Sequence, residues 1–418
     1  GLLPMAAFAD EAVVEPVVSE EPVQELEPSS EPTEAPSEPT QEPEPGQPGN
    51  ADVTIEGDEE QPEDEGNDEV ILDDYWLYPQ PMGISERAST GDFMKIFFLD
   101  CGRKYFSVDN IKKLIDNASA AGFNYIQLAV GNDGLRFLLK DMSLTVNGTL
   151  YTTEQVSNAI HTGNEKYYNF PVDELTQTEM DTIIAYAEGK GMGVIPCVNT
   201  PGHMDAILSA ATALTGKTCS YSGSVRTIDV TNATAVAFTQ ALLQKYIDYF
   251  KGKGCQFFNM GADEYANDIY TGGAMGFGNL QSTGKYSYYV QYVNQVADKI
   301  KKAGMTPMAF NDGIYFANNT WSGTFDTDIV ICYWSNGWSG YSPMSASSLR
   351  GKNFSLVNTN GSYYWVLGKA DAQCSSTKAA GFDKTVFPGS TISDPSGAMF
   401  CIWCDYPGAD TAENVVSN

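Results

Sequence analysis

Eight short apolar runs, separated mostly by helical or loop-like segments, constrain this chain of 418 residues more than any other feature. They occupy residues 94–100, 124–130, 193–198, 255–260, 306–310, 328–334, 353–358 and 398–403. Runs of this length bounded by chain-breaking residues fit strands buried on both faces. Between the first two, Ile111, Leu114, Ile115 and Ala118 lie on one helical face, with Gly122 as its stop. Residues 176–189, 233–250 and 285–303 read as further helices, whereas 131–172 reads as a long polar excursion. Strand and helix in alternation predict a parallel sheet, and eight strands predict its closure as an α/β fold, the (β/α)8 TIM barrel. An open doubly wound sheet is the competing reading, but no Gly-x-Gly-x-x-Gly follows the first strand. Asn418 comes too soon after the eighth run for a full closing helix, so the barrel is expected to lack its last one.

Charge divides the chain. Residues 1–86 hold no Lys or Arg, and 24 of the 54 acidic residues fall between Asp10 and Asp74. The remainder has 30 acidic against 24 basic residues, a net of −6, and lacks the basic face that nucleic-acid binding requires. Residues 1–9 (GLLPMAAFA) resemble the end of a signal peptide, with Ala7-Phe8-Ala9 as a small-x-small cleavage pattern. Residues 10–74 are rich in Pro and Glu and too poor in apolar surface to fold, which predicts a disordered, extended spacer. Residues 75–418 then form the folded (β/α)8 domain, expected to be truncated at its C-terminus. The chain is expected to be exported to the cell surface or medium, with no membrane span in this segment.

Eight cysteines are present, several inside apolar runs where a thiol behaves as a small hydrophobe. Cys401-x-x-Cys404 has no second pair, and two histidines are too few to suggest a zinc site. No metal and no cofactor are expected.

Barrel chemistry sits at the C-terminal ends of strands. Those ends carry Asp100 and Arg103, Asn132 and Asp133, Asn199 to His203, Asp263-Glu264, Asn311-Asp312, Trp334 to Trp338, Tyr363-Tyr364, and Trp403 with Asp405. Carboxylates, amides and aromatics with few cations suit a sugar site, since aromatic faces stack on pyranose rings while Asp, Asn and Arg meet hydroxyls. The centre is Asn259-Met-Gly-Ala-Asp-Glu264. On a regular strand Asp263 and Glu264 point to opposite faces, but a small departure brings both carboxyls to one cavity. Two carboxylates in unlike environments are what acid/base chemistry on a glycosidic bond needs. A helix N-terminus, where the dipole favours acidic residues, is the structural alternative.

These motifs, with Leu99-Asp-Cys-Gly-Arg-Lys-Tyr-Phe106, Gly131-Asn-Asp-Gly-Leu-Arg-Phe137 and Asn199-Thr-Pro-Gly-His-Met-Asp205, resemble glycoside hydrolase family 20, the β-N-acetylhexosaminidases. The likeness runs from Met94 to Asp405 and leans toward exo-β-N-acetylglucosaminidase domains of bacterial surface proteins. It implies glycans bearing terminal N-acetylhexosamine as substrates, cleaved by substrate-assisted hydrolysis with retention through an oxazolinium intermediate. It further implies Glu264 as general acid, with a pKa raised by burial and by Asp263. Asp263 would accept the acetamido N–H, and Tyr364, with Tyr363 as alternative, would bind the acetamido oxygen. Arg103 and Asp405 would hold ring hydroxyls, Trp334 and Trp403 would wall the sugar, Trp338 would stand at the rim, and His203 would contact the acid or the sugar.

Other roles suit some of these residues. Trp403 suits barrel core, His203 a cap on the turn after Gly202, and Asp133 with Arg136 a surface pair. Tyr286, Tyr288, Tyr289 and Tyr292 suit helix packing. Much of the family has His where Asn259 stands, an acidic residue at Cys197 and Glu at Asp405, which leaves the choice between gluco and galacto epimers open. A disaccharide-releasing enzyme like lacto-N-biosidase and a catalytically inactive carbohydrate-binding adhesin are the alternatives. Wall attachment would depend on parts beyond Asn418.

Overall fold

The computed structural model describes residues 93–168, 173–271, 274–338 and 341–417. The expected signal remnant, the acidic spacer and residues 75–92 lie outside the described residues. Eight strands follow in chain order: β1 (Met94–Leu99), β2 (Tyr125–Asn132), β3 (Gly193–Thr200), β4 (Phe257–Gly261), β5 (Thr306–Phe310), β6 (Val330–Tyr333), β7 (Leu356–Asn358) and β8 (Gly397–Trp403). Each pairs in parallel with its sequence neighbours, and β8 pairs with β1 to close the ring. The eight runs correspond to these eight strands within a few residues at either end.

Alternation along the strands sorts the core into two layers. Ile96, Phe98, Ile195, Cys197, Met308, Phe310, Cys332 and Met399 fill the barrel interior. Leu99, Ile126, Leu128, Phe258, Met260 and Ile331 face outward into the apolar stripes of the helices. Helix Val108–Ala120 starts at a capping box between Ser107 and Asn110, and Gln177–Gly189 at one between Thr176 and Glu179. Asn232 caps Ala233–Gly252, and Tyr286–Lys302 follows β4.

Two further helices escape the sequence reading. Thr153–Tyr168 lies inside the supposed polar excursion, and Asp205–Thr215 follows β3. They pack together through small residues: a Cβ on Gly163 would come within 2.5 Å of the Ala206 carbonyl oxygen. A contact built on Gly and Ala leaves no large apolar stripe to detect. The outer ring is thin on the opposite side. A 3-10 turn (Phe316–Asn318) replaces a helix between β5 and β6, and among the described residues only short helices, Ala346–Gly351 and Ser376–Ala380, follow β6 and β7. After β8, helix Ala412–Ser417 buries Val415 and Val416, and Asn117 donates to the Val416 carbonyl.

All eight cysteines are free thiols, Cys401 and Cys404 among them. No helix among the described residues is long and apolar enough to cross a membrane.

Candidate active site

The backbone leaves β4 through a sharp reversal. Gly261, Ala262 and Glu264 all have positive φ (75°, 66° and 48°), so the alternation of the strand is broken and Asp263 and Glu264 line the same pocket. Gly261 is obligatory there, because a Cβ would stand 1.9 Å from Asn199 Oδ1. Neighbouring elements fix the reversal. Tyr289 donates to the Ala262 carbonyl at 2.5 Å, Ala262 N–H donates to the Thr200 carbonyl at 3.0 Å, and Glu264 N–H donates to Asp312 Oδ2 at 2.8 Å. Asn199 Nδ2 donates to Asp263 Oδ1 at 2.8 Å. Tyr286, Tyr289 and Tyr292 are thus packing residues, as their helical spacing implies, and their hydroxyls tie the helix to strand-end backbone and to Thr200.

His203 follows the cis Thr200–Pro201 peptide, with φ at 52°. It is 4% exposed and does more than cap a turn: Nδ1 lies 2.8 Å from Asp133 Oδ1 and Nε2 lies 3.1 Å from Glu264 Oε2. Asp133 also accepts Arg103 Nε at 2.7 Å and the Tyr167 hydroxyl at 3.0 Å. The alternative reading of Asp133 and Arg136 as a surface pair does not hold. Asp133 and Arg136 are both buried, and Arg136 donates to the Gly102 carbonyl at 2.8 Å. A polar loop sequence concealed them because their partners come from other strand ends.

Burial works against charge on His203, but Asp133, and after it Glu264 and Asp263, hold the ring well above the ordinary histidine range. This overturns one expectation. Burial would raise the Glu264 carboxyl, yet the hydrogen bond and positive charge of His203 outweigh it, and the acid sits below its ordinary value in the open pocket. Asp263 is raised, chiefly by burial and further by Glu264, against the charge of His203. Burial, with Asp263 and Glu264, pushes Asp312 up to about 8.

The pocket encloses about 190 Å3 and is walled by Phe310, Trp334, Tyr364, Val366 and Trp403. The rings of Trp334 and Tyr364 are nearly parallel (15°), and Trp403 is tilted against Tyr364. The buried Tyr364 hydroxyl and Trp403 indole N–H have no hydrogen-bond partner among the described residues. Tyr363 turns away to pack on Phe382 and Phe400, which favours Tyr364 of the two. Trp338 is 40% exposed, stacked on Tyr341 outside the pocket lining. Arg103 Nη1 and Lys369 Nζ flank Asp405 at 3.2 Å and 2.6 Å.

The structure thus gathers Arg103, His203, Asp263, Glu264, Trp334, Tyr364, Trp403 and Asp405 around one cavity, with Trp338 at the rim. It adds Lys369, Phe310 and Val366 to the lining and Asp133 and Asp312 behind it. Asp133 and Asp312 stand at strand ends and were legible as candidates, whereas Lys369 sits in a loop without any signal. Asn259 turns inward, its Oδ1 accepting Gly261 N–H at 2.8 Å. His203, Asp263 and Glu264 offer ligand atoms within 4.8 Å of one another. Both ring nitrogens of His203 are engaged by carboxylates, Nδ1 by Asp133 and Nε2 by Glu264.

An eight-stranded parallel barrel with an aromatic-walled, carboxylate-bearing pocket at its strand ends defines a barrel enzyme suited to sugars. The match of the catalytic domain of glycosyl hydrolase family 20 to residues 95–387 makes the assignment specific. The chain belongs to that family and is a glycoside hydrolase. Two solved structures of the pneumococcal enzyme StrH, an exo-β-D-N-acetylglucosaminidase, are each 38% identical with a TM-score of 0.73. They cover 78% of this chain and 82% and 81% of their own. Dispersin B, at 23% identity and a TM-score of 0.59 over 78% of this chain and 95% of its own, shares the fold. Among curated relatives, a lacto-N-biosidase of Bifidobacterium bifidum is 25% identical over 256 residues, 57% of this chain and 21% of that protein. A β-hexosaminidase of Vibrio furnissii is 31% identical over 115 residues, 27% of this chain and 18% of that protein. The matched region spans about a fifth of each of these two relatives.

Proposed function

We propose that the domain is an exo-acting β-N-acetylglucosaminidase that removes terminal, non-reducing β-linked N-acetylhexosamine from glycans with retention of configuration. One observation carries the reading. A buried phenol without a partner, Tyr364, shares a pocket with a buried carboxylate, Asp263, and with Glu264. The phenol offers a donor to a carbonyl oxygen and the carboxylate an acceptor to an N–H, which together suit an acetamido group. The likeness to StrH, named an exo-β-D-N-acetylglucosaminidase, supports the same substrate class.

In this mechanism Trp334 and Trp403 wall the ring, and Arg103 and Asp405 hold hydroxyls away from the scissile bond. The acetamido oxygen, oriented by Tyr364, attacks the anomeric carbon as the bond to the leaving oxygen breaks. Glu264 gives its proton to that oxygen. Asp263 accepts the acetamido N–H and stabilises the positive charge of the oxazolinium ion. Glu264 then takes a proton from water as it attacks the same carbon and opens the ring. His203 and Asp133 orient Glu264 throughout. The Glu264 side chain is 23% exposed in the open pocket. A bound sugar covers it and strengthens the burial effect, moving the acid toward the protonated state its role requires.

Export to the cell surface or medium follows in this proposal from residues 1–9, and the Pro/Glu-rich stretch 10–74 would act as a spacer. The test is release of chromophore from an aryl β-N-acetylglucosaminide, beside its galacto epimer and the aryl β-glucoside lacking the acetamido group. Turnover of the acetamido substrates alone supports the reading. Release of a disaccharide with no turnover of the monosaccharide glycosides would favour a lacto-N-biosidase-like enzyme. Glycan binding without hydrolysis would favour an adhesin.

A further inference from the structure

Lys369 follows β7 in a loop that no motif marks, yet it lines the pocket. Its ammonium lies 2.6 Å from Asp405 Oδ2, while Arg103 Nη1 holds the other oxygen, Oδ1, at 3.2 Å. Arg103 is committed further, through Nη1 to Asp100 at 3.3 Å and through Nε to Asp133 at 2.7 Å. Lys369 is less engaged: an ammonium carries three donors, and among the described residues one of them, to Asp405, is taken.

The backbone under this pair is fixed. Trp365 and Val366 pair in parallel with Ile402 and Trp403, and Leu367 N–H donates to the Trp403 carbonyl at 2.8 Å. Lys369 N–H donates to the Val366 carbonyl at 3.1 Å. Gly368, at φ 84°, packs so closely on Tyr406 that a Cβ would come within 2.5 Å of the Tyr406 Cβ. Lys369 and Asp405 are therefore held side by side from two segments. Their side chains are 43% and 27% exposed, and an ion pair so open to water contributes little to stability. Its position in the pocket is better suited to a ligand.

Resting on the reading of the domain as an exo-β-N-acetylglucosaminidase, we propose that Lys369 is a substrate-binding residue that sets specificity at the ring hydroxyls farthest from the scissile bond. It orients the Asp405 carboxylate as acceptor and donates directly to a neighbouring hydroxyl. The far wall then presents an acceptor and a donor side by side, a pattern that distinguishes equatorial from axial hydroxyls.

The test compares the unaltered protein with Lys369→Met, which keeps the aliphatic stem, and Lys369→Arg. Kinetics on the aryl β-N-acetylglucosaminide and its galacto epimer accompany calorimetric binding of free N-acetylglucosamine. In Lys369→Met, KM and the dissociation constant should rise about tenfold, with kcat within about twofold and Tm unchanged. The gluco-to-galacto ratio in kcat/KM should shift at least threefold, and Lys369→Arg should recover most of both effects. Unchanged KM, affinity and epimer ratio in Lys369→Met would overturn the proposal. If the unaltered protein hydrolyses neither epimer, the functional reading fails. Binding still judges Lys369 in that case, and failure of the unaltered protein to bind the sugar overturns this inference as well.

Discussion

The carboxylate of Asp312 is wholly buried and accepts the indole N–H of Trp334 at 3.0 Å. It also accepts the backbone N–H of Glu264 at 2.8 Å and the Tyr341 hydroxyl at 3.2 Å. One side chain at the end of β5 thus ties the aromatic wall to the backbone of the proposed acid. Asp312→Leu leaves three donors without a partner, at a cost of about 1–3 kcal/mol for each one that stays dry. We expect kcat/KM to fall by at least 10-fold and Tm by several degrees. Wild-type kinetics with unchanged tryptophan fluorescence would show that the link is dispensable.

The same residue gives a prediction about pH. Its folded pKa, pushed up to about 8, lies above the ordinary carboxylate value of 3.8. A group raised in the folded state contributes stability that is fully present below the unfolded pKa and is lost as pH rises through the folded one. Asp312 should therefore weaken the fold progressively between about pH 4 and pH 8. Asp312→Asn removes the titration, so its Tm should decline less than that of the unaltered protein over this range. Parallel Tm curves would refute the assignment.

What the sequence made legible follows from what kind of force placed each residue. The strands were readable because burial on both faces demands continuous apolar runs, and Asp263, Glu264 and His203 were readable because barrel chemistry collects at strand ends. The helices Thr153–Tyr168 and Asp205–Thr215 were not, since backbone-close packing at Gly163 and Ala206 leaves no stripe. The roles of Asp133 and Asp312 depend on partners 70 and 48 residues away, His203 and Glu264. The lowered pKa of Glu264 could not be anticipated without the His203 ring beside it, which only the folded chain supplies.

Tyr364 offers a case in which stability and activity should move in opposite directions. Its hydroxyl is buried without a partner, so Tyr364→Phe relieves a desolvated polar group in the empty protein. Tm should hold or rise by a degree or two, consistent with about 1 kcal/mol or less. The acetamido oxygen in the proposed mechanism loses its donor, and kcat should fall about 10- to 1,000-fold, as when other preorganised donors are removed. A drop in both quantities would mean that the hydroxyl serves the fold instead.

The role of Glu264 is best tested through the leaving group. A general acid matters in proportion to how poorly the departing oxygen carries negative charge, because a stable phenolate leaves without a proton. Glu264→Gln keeps the size of the side chain and a hydrogen bond to His203 while removing the transferable proton. On a natural disaccharide, kcat should fall by about 100- to 10,000-fold, the range general acid catalysis supplies. On an aryl glycoside with a strongly acidic phenol, the loss of the first step should be far smaller, leaving the hydrolysis of the oxazolinium ion, which needs Glu264 as base, to limit turnover. A burst of phenol followed by slow release would display that sequence directly. Equal losses on both substrates, with no burst, would indicate that Glu264 merely shapes the pocket.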